Sequence, residues 1–391
     1  MCTRTSLCLE YCPNICIKKN DAAVEQLFEF GARSAEHMAK HGVAHPLTGE
    51  RFWMMCVAVT GDWAFLVKCG HLSRSFYSTE KLTAGQSQKQ PKGICHLCKA
   101  GQREFPFEQL SSRSPKWLST MFKENPFKSP APFNRIPFPA LQLEDIYRFD
   151  IWHGYHLGVG KSFISSTLAV LSDHFPGRSV DERFDALSAE YLRWCKANGE
   201  TAYLAYIAKE TILWPSRSEV PSAIWSKGAA TTVLCKWLEA WNKTADLSSC
   251  ILLQKQAKAC ELINIFWKEL FEQDVWIPGQ TAVRLGDLGL QFLKLFDELA
   301  KEAFRQNRKL YFFMPKHHLL QHVFLVDLFL AGQKHQKVLS PLCWSTQMSE
   351  DFIGKAARTA RRVHASTVVQ RVLLRYLTKA YQEWNKLGYI K

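Results

Sequence analysis

From Leu143 onward, apolar residues recur at helical spacing with few interruptions, which restricts most of this chain to packed α-helices. Leu285, Leu288, Phe292, Leu295, Leu299 and Ala303 form one such stripe. Asp181–Lys196, Ser226–Trp241 and Ala245–Phe271 give three more amphipathic segments, punctuated by Pro215, Pro221 and Pro278-Gly279. The segment before them behaves oppositely. Pro126, Pro130, Pro132, Pro137 and Pro139 exclude long helices from the end of residues 70–140 and predict a loop-rich connector stiffened by proline. With 47% apolar residues, 13 Trp and 25 Phe, the chain has enough large side chains for a well-buried core.

Upstream of the prolines the pattern changes again. Asp21–Lys40 places Val24, Leu27, Phe28, Ala35 and Met38 at helical intervals, and His41-Gly42 ends that helix. The wholly apolar run Phe52–Val59 then predicts a buried strand delivering Thr60-Gly61-Asp62-Trp63 at its end. A carboxylate there is rigidly held and suits acid or metal chemistry, although a Gly-Asp turn alone also explains it. The expected fold class is therefore α+β and predominantly helical. Its units are a cysteine-containing tail (1–20), a partial α/β core (21–68), a Pro/Gly-rich loop region (69–142), a helical domain (143–335) and basic C-terminal helices (336–391).

Cys95-His96-Leu97-Cys98 has the Cys-x-x-Cys spacing with which two thiolates share one tetrahedral zinc from a tight turn. A zinc site needs two more ligands, and Cys69 and His71 are the nearest upstream pair; the alternative is a pair of reduced or redox cysteines in a loop. Cys2, Cys8, Cys12 and Cys16 fit no zinc ribbon or finger. His318 and His322 stand four apart on one helical face, a spacing that can bind zinc. No metalloprotease acid accompanies them, so packing or nucleic-acid contact is the expectation. Asp150, His153 and His156 could form a metal or proton-transfer cluster, yet Asp150 also suits the cap of the helix it opens. Gly158-Val159-Gly160-Lys161-Ser162 lacks the earlier glycine and preceding strand of a phosphate loop, so nucleotide binding is rejected.

The net charge is +14, and residues 301–391 hold 16 Lys and Arg against 5 Asp and Glu, or +11. Such a basic quarter attracts polyanions, DNA first among them. Within it, Ser349-Glu350-Asp351 opens a helix, where a serine cap and first-turn acids are explained by helix structure alone, while Lys355, Arg358, Arg361 and Arg362 would set those carboxylates beside a phosphate-binding face. Thirteen cysteines without a disulfide framework and the absence of a visible leader predict a reducing compartment, nuclear or cytoplasmic, and Asp327 breaks the longest apolar run, so no membrane partner is expected.

In order, the strand-end Asp62, the cysteine-bearing insertion Gly93–Cys98, the long helical stretch and the Glu350 helix resemble RNase H-like DDE transposases with a helical insertion, of the CACTA, KDZ and hAT types. The resemblance implies a partial RNase H-like core with a large all-α insertion. It further implies that Asp62 matches the second catalytic acid and that Glu350, or else Asp351, matches the third. The cofactors implied are structural zinc and, in an active enzyme, Mg or Mn. The first acid has no counterpart, because Asp21 alone precedes Asp62 and it opens a helix. The expectation is an N-terminally truncated or decayed copy that binds DNA and zinc without cutting. The competing class is a non-catalytic helical interaction module with a zinc loop, binding protein partners or itself.

Overall fold

The computed structural model describes residues 21–79, 92–139 and 141–388, apart from the side chains of residues 351, 352 and 365. The N-terminal cysteines 2, 8, 12 and 16 lie outside the described residues. Helix α1 (Asp21–His41) buries Val24 and Ala32 and lies against the turn Pro132–Arg135. A minimal antiparallel pair follows, β1 (Val43–Ala44) with β2 (Arg51–Phe52). Then comes β3 (Val59–Gly61), which runs directly into α2 (Trp63–Cys69).

The expected buried strand Phe52–Val59 does not form. Only its two ends are strand, and Trp53, Met54, Met55 and Val57 are exposed. Backbone ladders hold a strand in place, and among the described residues 53–58 lie in no ladder. β3 does have a partner, the distant β4 (Tyr147–Phe149), paired parallel with Val59 opposite Tyr147 and Gly61 opposite Phe149. All three sheets of the described residues are two-stranded, so the multi-stranded sheet of an RNase H-like core is not seen among them.

The proline-bearing segment is irregular apart from short 3-10 turns, as its composition predicts. Beyond it the chain is helical. α3 (Ile151–Gly154) continues through a π-helical turn, Tyr155–Val159, into α4 (Gly160–Leu171). α5 (Val180–Ala197) starts on Ser179, whose hydroxyl accepts from the Glu182 N–H. α6 (Gly228–Thr244), α7 (Ile251–Phe271), β5 (Trp276–Pro278) and α8 (Gly279–Arg305) come next. α9 (Pro315–Gln321) passes through the π-helical stretch His322–Leu330 into α10 (Ala331–Lys334). β6 (Lys337–Leu339) returns to pair antiparallel with β5. The chain ends in α11 (Gln347–Ala360) and α12 (Val368–Lys386). Among the described residues no helix is long and apolar enough to cross a membrane.

The main core lies where α7 and α8 pack on each other and on the 322–330 stretch, with α4 alongside. α8 shows why its stripe reads so clearly: Leu285, Phe292, Leu299 and Ala303 are buried, while Leu288 and Leu295 are half-buried at its flanks. Gly286 and Gly289 let the π-helical stretch approach α8 closely. A Cβ at Gly286 would stand 2.6 Å from the Phe324 carbonyl oxygen and 2.7 Å from the Phe329 nitrogen, both backbone atoms that cannot swing aside. Helix propensity alone would make Gly286→Ala stabilising by about 1 kcal/mol. The clash predicts instead a net loss of about 1–3 kcal/mol, measurable by denaturant unfolding.

Candidate metal centre and acidic cleft

Residues 93–101 form a tight knuckle. Gly93 and Gly101 sit at φ values of 86° and 85°, where a side chain would be strained, and the Ile94 N–H closes the loop on the Ala100 carbonyl at 2.8 Å. The knuckle turns both thiols inward, and the Leu97 N–H donates to Cys95 Sγ at 3.3 Å. Opposite them, α9 starts on Pro315 at its first turn and carries His318 and, where the π-helical stretch begins, His322. Cys98 Sγ lies 3.4 Å from His318 Nε2 and 3.5 Å from His322 Nε2, and Cys95 Sγ lies 3.5 Å from His322 Nε2. All four ligand atoms fall within 4.8 Å of one another.

Those separations suit zinc. With Zn–S of about 2.3 Å and Zn–N of about 2.0–2.1 Å, the sulfur–nitrogen edge of a tetrahedron is about 3.6 Å. All four residues are buried, so the site is closed to solvent, as a structural rather than a catalytic zinc requires. The charges also suit a cation. Burial holds the His318 imidazole down at about 4, so it is neutral at physiological pH and has a lone pair to offer. At Cys95, burial opposes ionisation but is outweighed by the Cys98 thiol and the two imidazoles, which together hold it well below the usual thiol range. Cys98 is pushed the other way, by burial and by Cys95.

Trp117 seals one side, with ring centres 4.7 Å from His318 and 4.5 Å from His322. Its Nε1 donates to Gln321 Oε1 at 3.3 Å, and Gln321 Nε2 donates to the Gln109 carbonyl at 2.9 Å. On another side Phe149, the last residue of β4, packs against His322 at 5.5 Å. The metal site thus touches the strand that leads to Asp150.

Cys69 and His71, the expected partners of Cys95 and Cys98, are elsewhere. The Cys69 thiol donates to the Leu66 carbonyl at the end of α2, and burial pushes it up to about 12. His71 lies between Ser129 Oγ at 2.9 Å and Glu25 at 3.1 Å. Sequence proximity favoured them, whereas folding delivers the second half of the cluster from a helix more than two hundred residues downstream. The four-residue spacing of His318 and His322 was the signal for it.

The second candidate site lies at the ends of β3 and β4. Asp62 and Asp150 directly follow the paired residues Gly61 and Phe149, so the parallel register sets the two acids side by side along the strand ends. They line a cavity of about 120 Å³ together with Trp63, His153 and Lys316. Each also caps a helix: Asp62 Oδ1 accepts from the Phe65 N–H at 2.7 Å, and Asp150 Oδ1 from the Trp152 N–H at 2.8 Å. Asp150 is buried and fully engaged, its Oδ2 accepting from His153 Nδ1 at 2.6 Å and from the Thr346 hydroxyl. On its other nitrogen, His153 Nε2 stands 3.8 Å from Glu350 Oε1.

Asp62 and Glu350, drawn from near opposite ends of the sequence, therefore both border the Asp150–His153 pair. They are not drawn tight: among the described residues Cys95, Cys98, His318 and His322 are the one group of three or more His, Cys, Asp or Glu with ligand atoms within 4.8 Å of one another, and neither acid belongs to it. Asp351 follows on the same helix, but its side chain lies outside the described residues. Lys316 donates to the Leu157 carbonyl at 3.1 Å; burial first and then Lys161 lower its ammonium, against the pull of Asp62 and Asp150.

His156 does not join this cluster. It is buried with its ring 4.1 Å from Trp152 and 4.4 Å from Trp267, and burial holds it at about 3. His317, equally buried, is also held at about 3. Both take up a proton in the unfolded chain near pH 6.5 but resist it when folded. Between pH 6.5 and 3 the unfolded state therefore binds more protons, and stability falls as the pH is lowered through that window, by up to about 1.4 kcal/mol per pH unit per group. A thermal melt at pH 7 and at pH 5 checks this; His156→Phe is expected to reduce the slope.

Lys355, Arg358 and Arg362 line a groove of about 770 Å³ between α11 and α12, with Arg375 and Lys379 on the facing helix and Glu383 as its acid. Arg361 is exposed outside this lining. No protein-family model, curated protein or solved structure matches the chain.

Proposed function

We propose that this protein is a transposase-derived, nucleic-acid-binding protein that holds one structural zinc and takes a divalent cation, Mg or Mn, between Asp62 and Glu350. The observation that carries the reading is that Asp62 shares a small cleft with Asp150 and His153, and that the other nitrogen of His153 stands 3.8 Å from Glu350. Glu350 is half-exposed on the helix that also carries Lys355, Arg358 and Arg362, which supports a cation near a groove suited to phosphates. Charge-assisted contacts from five cationic side chains suit a DNA backbone read without regard to sequence.

Two-metal phosphoryl transfer needs enough carboxylates to hold both ions about 3.5–4 Å apart. With Asp150 committed to Trp152, His153 and Thr346, Asp62 in the cleft and Glu350 beyond His153 are the carboxylates left to a cation, too few for strand cleavage. The test is duplex binding by the full chain in Mn²⁺ across a salt series. Affinity is expected to fall steeply with salt, and Arg358→Ala with Arg362→Ala should flatten the slope by about 2 phosphate contacts. Salt-independent binding contradicts the groove, and plasmid nicking that Asp62→Asn abolishes contradicts the catalytic incompleteness.

A second reading, an interaction module for protein partners, draws on α12, where Leu373, Leu377, Tyr381 and Trp384 form an exposed apolar stripe. Pull-down on Leu377→Asp and wild-type chains would separate it from the first.

A further inference from the structure

A different groove, of about 870 Å³, runs between the end of α8 and the zinc knuckle. Two phenylalanines stand in its lining with their rings turned to water, Phe304 82% exposed and Phe312 61%. Burying a Phe ring is worth about 1.5–3 kcal/mol, so a fold with a large apolar core has a strong reason to bury both. The backbone keeps Phe312 outside. Asn307 and Tyr311 are both at φ 54°, a region that non-glycine residues seldom adopt. Tyr311 is pinned inward: its N–H donates to Ser166 Oγ at 2.9 Å, and its hydroxyl pairs with Thr167 at 3.3 Å. A turn anchored so firmly at Tyr311 presents the next side chain to solvent.

The groove's charge is cationic, with Arg103, Arg308 and Lys309 against Glu108. Arg308 is paired with Asp173 at 3.4 Å, while Lys309 is exposed beside Phe312. Exposed aromatic faces interleaved with cations are what an unpaired polynucleotide needs, since bases stack on the rings and phosphates meet the cations. An apolar peptide would use the rings without the cations, and a duplex has no free base faces to stack.

We infer that this groove binds single-stranded DNA, with Phe304 and Phe312 as stacking platforms and Lys309 on the phosphates. The choice of DNA over RNA rests on the proposed function; the groove itself is separate from the one between α11 and α12. The test measures anisotropy of labelled dT20, rU20 and a 20-base-pair duplex with the zinc-loaded full chain. Phe304→Ala and Phe312→Ala are each expected to weaken dT20 binding by about 5-fold or more, as loss of one stacked base does. Duplex affinity should be unchanged in both, which also shows that they fold. Phe312→Trp should retain dT20 binding. The inference is overturned if both alanine variants bind dT20 as the wild type does, or if the chain binds rU20 and not dT20. Failure of duplex binding with dT20 binding intact would count against the proposed function and leave this groove standing.

Discussion

Replacing Cys98 by Ser is expected to lower stability by about 3–5 kcal/mol and the bound zinc from one equivalent to less than a tenth. Cys98 Sγ is near both imidazoles, so its loss opens the tetrahedron on the side where α9 meets the knuckle. The remaining ligands are buried and leave polar atoms without a partner in a dry interior, which is what makes breaking a buried polar group cost several kcal/mol. A strong chelator should act in the same direction, because the free energy of a structural metal is folding free energy. Since Phe149 links His322 to β4, loosening should spread to the acidic cleft. Metal analysis together with thermal unfolding checks this. Cys69→Ser is the control, and it should keep one zinc, since that thiol donates to the Leu66 carbonyl within α2.

The second large effect is expected at Asp150. Asp150→Ala should cost about 3–5 kcal/mol, because one buried carboxylate caps α3, fixes His153 and ties the turn before α11 through Thr346. His153 also stands 3.8 Å from Glu350, so divalent cation affinity is expected to drop by about tenfold with it. Asp150→Asn retains shape and one acceptor and should recover about half of the stability but not the orientation of His153. Urea unfolding and Mn²⁺ titration of the two variants distinguish capping from positioning.

Periodicity made the helical body legible from the sequence. α5 and α6 fall within three residues of the expected Asp181–Lys196 and Ser226–Trp241, α8 contains its whole stripe, and α7 begins six residues later than expected. An apolar stripe at period 3.6 has no competing solution once it is buried. The strand Phe52–Val59 was misread since an apolar run shows only that a segment could be buried, and the partner that would pair it is not encoded locally. The cysteine half of a cluster that could hold a metal such as zinc was legible at Cys95 and Cys98 because both come from one turn. His318 and His322 came through as a spacing, but their meeting with the cysteines depends on how α9 packs, which no local pattern fixes. Asp150 was legible as a cap, whereas its place beside Asp62 follows from a parallel pairing of strands some ninety residues apart. The groove between α11 and α12 extends the expected Lys355, Arg358 and Arg362 with Arg375 and Lys379 from the facing helix.

The most direct measurement is Mn²⁺ binding to the zinc-loaded chain, followed by electron paramagnetic resonance. One Mn²⁺ per chain is predicted, with affinity falling at least tenfold in Asp62→Asn and in Glu350→Gln while zinc content and melting temperature stay put. Mn²⁺ binding that both variants retain unchanged would contradict a shared cation between those two carboxylates.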